Sequence, residues 1–148
     1  MRSIYLLSVA FSFFCAGSAL GAPPCSLLTK DQVSAVLGTD VGPGEPIGNR
    51  TCSWAASGRA EGTNTKTVNV TLLSDQEHAA NKLPLGKNIV KEHVAGLADD
   101  AVSTKIAKAA TLAVKKGNSA LLVRMYGVPS EQVEDKEKAI AQAVLGKL

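Results

Sequence analysis

The sequence predicts an α+β domain, an antiparallel sheet flanked by helices and tied by one disulfide. Three observations predict it. Thr111–Tyr126 reads as a hairpin, with Leu112 and Val114 alternating on one arm and either Leu121, Val123 and Met125 or Leu122 and Tyr126 on the other. Lys115-Lys116-Gly117-Asn118 between the arms supplies the polar, Gly-containing turn. Two capping boxes, Thr29 with Gln32 and Ser74 with Glu77, open short helices, because each side chain satisfies a free backbone N–H of the other. The predicted order is helix, two strands, helix, about four strands and a helix, which sets helices against an antiparallel sheet.

The first helix is expected over Ser26–Leu37. Leu28 and Val33 staple its start, Val33, Val36 and Leu37 form its apolar face, and Gly38 stops it. Thr39–Asn49 holds three glycines and two prolines and reads as a loop. Arg50–Ala56 reads as a strand that places Cys52 and Trp54 on one face at period two. Trp54 then packs against a disulfide; the alternative is a ring that lines a pocket and stacks on a ligand. Ser57–Thr65 is an exposed loop, and Thr67–Leu73 a strand with Val68, Val70 and Leu72 inward. The second helix runs from the Ser74 box to about Leu83, where Pro84 and Gly86 end it. Strands follow at Ile89–Val94 and Ala101–Ile106, then the hairpin. A final helix, capped by Ser130, reaches about Leu145 with Val133, Ile140, Val144 and Leu145 apolar.

Residues 1–22 read as a signal peptide: Arg2, an apolar run over Ile4–Cys15, then small residues up to Ala22. The run falls short of the roughly 20 residues that span a bilayer, so no stable membrane span is expected once it is cleaved. Cys15 could be lipidated only against Phe14 directly before it, where a lipoprotein signal wants a small residue. The expectation is therefore a single exported domain, 23–148, secreted or periplasmic. Export leaves two cysteines, Cys25 and Cys52, in an oxidising compartment, which predicts one disulfide bond between them.

The formal net charge of +3 is too weak to argue for nucleic acid, and aromatic residues for base stacking are few. His78 and His93 lack a metal-ligand spacing and read as solvent-facing or edge residues, so no metal and no cofactor are expected. Asp99-Asp100 reads as turn chemistry, with the carboxylates taking nearby backbone N–H groups. Lys105, Lys108, Lys115, Lys116 and Arg124 read as a solvated, lysine-protected strand edge. No Gly-x-Ser-x-Gly elbow, phosphate loop or calcium loop appears.

The pattern Pro24-Cys25-Ser26-Leu27-Leu28-Thr29, Cys52-Ser53-Trp54, Gly96-Leu97-Ala98-Asp99-Asp100-Ala101 and Leu112–Asn118 resembles a family of small exported bacterial proteins. Many members of that family are lipoproteins, and its function is unknown. The resemblance implies a PsbP-like fold and no catalytic residues, since the shared positions are Cys, Trp, Gly and hydrophobics. Ala98 departs from it, standing where a second Gly is common.

The expected function is non-enzymatic: a cell-envelope binding or accessory module, acting through a sheet face or the Thr39–Asn49 loop. The alternative is a small-ligand carrier with a pocket near Trp54. The expected partner is correspondingly an envelope protein or a small ligand.

Overall fold

Every described strand joins one antiparallel sheet. The structure, a computed structural model, describes residues 23–57, 65–84, 86–87, 89–106 and 109–148. The expected signal segment with Cys15, residues 58–64 of the expected Ser57–Thr65 loop, and Lys108 lie outside them. The strands are β1 (Glu45–Ile47), β2 (Thr51–Ala55), β3 (Thr67–Leu73), β4 (Val90–His93), β5 (Asp100–Ile106), β6 (Ala109–Lys116) and β7 (Ser119–Tyr126). Their spatial order is β1-β2-β3-β7-β6-β5-β4. The helices are α1 (Lys30–Leu37), α2 (Asp75–Asn81) and α3 (Ser130–Leu145), with a 3₁₀ turn at Pro24–Ser26. None of the described helices is long and apolar enough to cross a membrane.

Register makes the sheet two-faced. Trp54, Val68 and Met125 lie opposite one another across β2, β3 and β7, as do Cys52, Val70 and Val123. Leu112 and Val114 continue this inner face on β6, opposite Val123 and Leu121. Because side chains alternate at period two, every second residue of these strands joins the inner face. Val33 and Leu37 of α1 and Val133, Ile140, Ala141 and Val144 of α3 complete the buried core there. Burying this Leu, Val and Ile area at about 25 cal/mol per Å² is the main source of stability.

The hairpin is the centre of the sheet, not an edge. Gly117 and Asn118 form its turn between the paired Lys116 and Ser119, and Gly117 holds φ +57°, which costs a side-chain-bearing residue strain. The edges are β1 and β4. The reading of a lysine-protected edge is thus corrected: Lys105 lies opposite Ala110 on the inner face, whereas Lys115 and Arg124 lie on the outer one. Among the described residues no single basic patch results.

Both capping boxes form. Thr29 Oγ1 accepts the Gln32 N–H at 3.2 Å and Gln32 Oε1 accepts the Thr29 N–H at 3.0 Å. Ser74 Oγ accepts from Glu77 N at 3.3 Å, and Glu77 Oε2 from Ser74 N at 2.7 Å. Four details differ from expectation. The first helix begins at Lys30, after the Thr29 cap, and only a 3₁₀ turn precedes it. The Thr39–Asn49 loop contains β1, whose Pro46 is tolerated because an edge strand leaves one row of N–H groups unpaired. Ser130 is the first helical residue of α3 rather than its cap, which is Pro129 and makes no side-chain bond. The second helix ends at Asn81, two residues short of Leu83.

Candidate functional site

Cys25 and Cys52 are bonded, with their Cα atoms 5.0 Å apart, and join the 3₁₀ turn to β2. Trp54, two residues on, is 1 % exposed and packs in the core beside this bond. Gly44 closes over both: a Cβ there would lie 2.7 Å from Trp54 Nε1 and 2.8 Å from Cys52 Sγ. The indole therefore has no open face on which a ligand could stack. A cleft of about 550 Å³ lies elsewhere, between the hairpin turn (Lys116–Ser119) and Leu145 and Leu148 at the end of the chain.

The two histidines converge, against the reading of separate, solvent-facing residues. Asp100 of β5 stands between them: its Oδ2 is 4.0 Å from Nδ1 of His78 on α2, and its Oδ1 is 3.9 Å from Nδ1 of His93 on β4. His93 is exposed at the edge as expected, but His78 is only 2 % exposed. The reason is tertiary. The side chains of α2 lie against the outer face, held by Lys115–Asp75 at 2.8 Å and Lys82–Asp100 at 2.6 Å. His78 faces the sheet, and burial lowers its pKa despite the pull of Asp100. The Lys82 hydrogen bond lowers that of Asp100. His78 Nε2 is buried and has no partner. A general base needs its nitrogen within reach of a substrate proton. Here the free nitrogen points into the protein, and the carboxylate is already taken by a lysine. No group of three or more His, Cys, Asp or Glu side chains suited to a metal ion occurs among the described residues.

Asp99 does perform turn chemistry, though over a longer range than expected. Its Oδ2 accepts the N–H of Gly117 at 2.7 Å, pinning the β4–β5 turn to the hairpin turn.

The outer face is the most distinctive surface. One row of side chains crosses all seven strands in register: Glu45, Ser53, Asn69, Arg124, Thr111, Thr104 and Lys91. All seven are polar, and none sits under α1 or α3. Lys91 Nζ donates to the carbonyls of Asn81 and Leu83, drawing the end of α2 over the β4 side, where Val102 and Thr104 are buried. Toward β2, β3 and β7 the face is half-buried, with Asn69 Oδ1 buried and unpartnered, and Ala55, Arg124 and Tyr126 are its exposed residues. Arg124 is exposed there, with Tyr126 at 38 % exposure two residues further on the same face. Among the described residues no carboxylate pairs with Arg124, whereas Arg50 is fully engaged by Glu77. Thr51 and Thr71 share a hydroxyl hydrogen bond of 2.9 Å in the adjoining row. The signal that could have located this face was present: Ser53, Asn69, Thr71 and Arg124 all fall on the polar phase of the strand alternation. Only the strand order aligns them.

Compared with protein-family models, curated proteins and solved structures, the chain matches none.

Proposed function

We propose that this protein is a non-enzymatic binding module of the cell envelope that engages its partner through the outer face of the sheet at the exposed Arg124 and Tyr126. The observation that carries the reading is Arg124. It is an exposed guanidinium on the central strand β7, flanked in register by Asn69 and Thr111 and lacking a carboxylate partner among the described residues. A rigid strand presents it without the ordering cost of a loop, and a guanidinium binds carboxylate or phosphate through two parallel hydrogen bonds. The partner therefore presents an anionic group to Arg124 and a surface flat enough to lie on Tyr126. Export is supported by the sequence of residues 1–22 and is compatible with the Cys25–Cys52 bond. The non-enzymatic reading rests on the geometry at Asp100, where His78 Nε2 is buried and Lys82 holds the carboxylate, so that His93 is the one histidine of the group that faces solvent. A carrier built around Trp54 is less well supported, because that ring is enclosed.

The test is retention from envelope extract on immobilised protein, compared with Arg124→Lys, Arg124→Glu and Tyr126→Ala. One species held by the wild type at stoichiometric level, weakened by Tyr126→Ala, released by Arg124→Glu and by salt, and kept in part by Arg124→Lys is the expected result. Equal retention by wild type and Arg124→Glu, or no retention by the wild type, overturns it.

A further inference from the structure

Among the side chains of α3 that face the core, one is out of character. Val133, Ile140, Ala141, Val144 and Leu145 are apolar and buried, and Glu137 sits among them at 1 % exposure. Neither of its carboxyl oxygens has a hydrogen-bond partner. Ser103 of β5 is likewise 1 % exposed with an unpartnered hydroxyl, and it lies on the same inner face, opposite Leu112. A buried carboxylate is costly unless it is paired, so a seam of this kind tolerates the neutral acid and rejects the anion.

The surroundings offer little to offset a charge. On α3 itself, Glu134 one turn earlier is engaged by Lys138 at 2.7 Å. On β5, Lys105 spans Glu134 and Glu92 of β4 at 3.1 Å each. β6 and β7 present Ala110, Leu112, Val114, Leu121, Val123 and Met125, none of which titrates. α1 contributes Val33 and Leu37, and its one tie to the middle of α3 is the Lys136 side chain on the Val36 carbonyl. Among the described residues, then, the only cation acting on Glu137 is Lys105, already shared by two carboxylates. Burial, reinforced by the Glu134 charge and opposed by Lys105, raises the Glu137 pKa to about 8.

We propose that Glu137 makes the seating of α3 on the sheet dependent on pH: the helix is docked while the carboxyl is protonated and is released from the inner face when it ionises. The movable part is α3 itself. It joins the sheet through Gly127-Val128-Pro129 and, among the described helices, packs mainly against α1. Release uncovers Leu112 and Val123 and sets the carboxylate in water. This device is independent of the binding face, which lies on the other side of the sheet.

The experiment is amide hydrogen exchange of the protein at pH 6 and pH 9, corrected for intrinsic exchange, in wild type, Glu137→Gln and Glu137→Leu. In the wild type, protection of α3 is expected to fall by about tenfold or more between the two pH values, while that of β3 and β7 holds; both variants keep α3 protected at pH 9. If Glu137→Gln proves unstable, Glu137→Leu carries the comparison. Three results overturn the proposal: α3 equally protected in the wild type at both pH values, the same pH dependence in the variants, or an equal loss across helix and sheet. The first would mean that Lys105 turns inward to meet the anion without movement of the helix.

Discussion

Glu77 takes both terminal nitrogens of Arg50, Nη1 and Nη2, at 2.7 Å each. The same carboxylate closes the Ser74 capping box, so one side chain starts α2 and ties it to the residue before β2. The Arg50 hydrogen bonds, with those from Ser74, hold its pKa down at about 2. A carboxylate depressed in the folded state contributes stability that is fully present above its unfolded pKa, about 4.5, and is lost as pH falls toward 2. Glu77→Gln is therefore expected to raise the pH at which α2 comes away on acidification. Circular dichroism with His78 imidazole shifts followed by NMR checks this; an unchanged acid transition would refute it.

Gly44 tests the packing around the tryptophan. A methyl group there meets two immobile atoms, the indole Nε1 and the disulfide sulfur, well inside van der Waals contact. Gly44→Ala is expected to cost about 1–3 kcal/mol, the usual range for overpacking a core. Gly42→Ala meets only the Ala55 carbonyl at 3.8 Å, an ordinary contact, and should pass with little effect. Denaturant titration followed by Trp54 fluorescence reads both, and equal stability of the two variants would show that the loop yields.

The disulfide closes a sequence separation of 27 residues. Replacing both cysteines with alanine is expected to lower stability by about 3 kcal/mol, chiefly by freeing the unfolded chain. Because the bond anchors the segment before α1, the loss should appear first as faster exchange in Leu27–Leu37 and leave β5–β6 protected. Uniform loss would place the constraint elsewhere.

What was legible in the sequence was local. The capping boxes repeat at i and i+3, and the hairpin announces itself through alternation around Gly117-Asn118. Both depend on residues close together in the chain, and both formed. The disulfide pair followed from counting cysteines, and the inward face of β2 from period two. Long-range relations were not legible. β1 hides in a Pro- and Gly-rich stretch because an edge strand needs only one set of backbone partners, and Pro46 does not disturb them. His78 carries no local sign of burial; α2 turns it toward the sheet through Lys82 and Lys115, whose partners are 18 and 40 residues distant along the chain. Glu137 sits three residues from Glu134 in a helix rich in charge, and its burial becomes visible only once β5 and β6 lie beneath it. The row through Arg124 needs the full strand order before its seven members align.

Arg124 also yields a prediction about stability. It is exposed on a strand face and makes no ion pair among the described residues, so Arg124→Glu should change folding stability by about 0.5 kcal/mol or less. Loss of partner retention in that variant would then report on recognition alone. A large drop in its melting temperature would show instead that the guanidinium supports the sheet.

Glu137 sets the last expectation. Its folded pKa lies near 8, above the ordinary carboxyl value of 4.5. Between those values the unfolded chain gives up a proton that the folded protein keeps. Stability from this group is therefore greatest below pH 4.5, declines as pH rises, and levels off above pH 8. A difference of this size corresponds to on the order of 5 kcal/mol at alkaline pH. The buried His78 acts with the opposite sign, since its lowered pKa costs stability as pH falls below about 6.5. The wild-type curve thus mixes several groups, and the informative quantity is the difference between wild type and Glu137→Leu. That difference should be small near pH 4.5 and grow in favour of the leucine variant up to pH 8, then stay flat. Urea titrations at half-unit pH intervals measure it. A difference constant with pH would show that the carboxyl ionises in place, with Lys105 or water reaching it inside the folded protein.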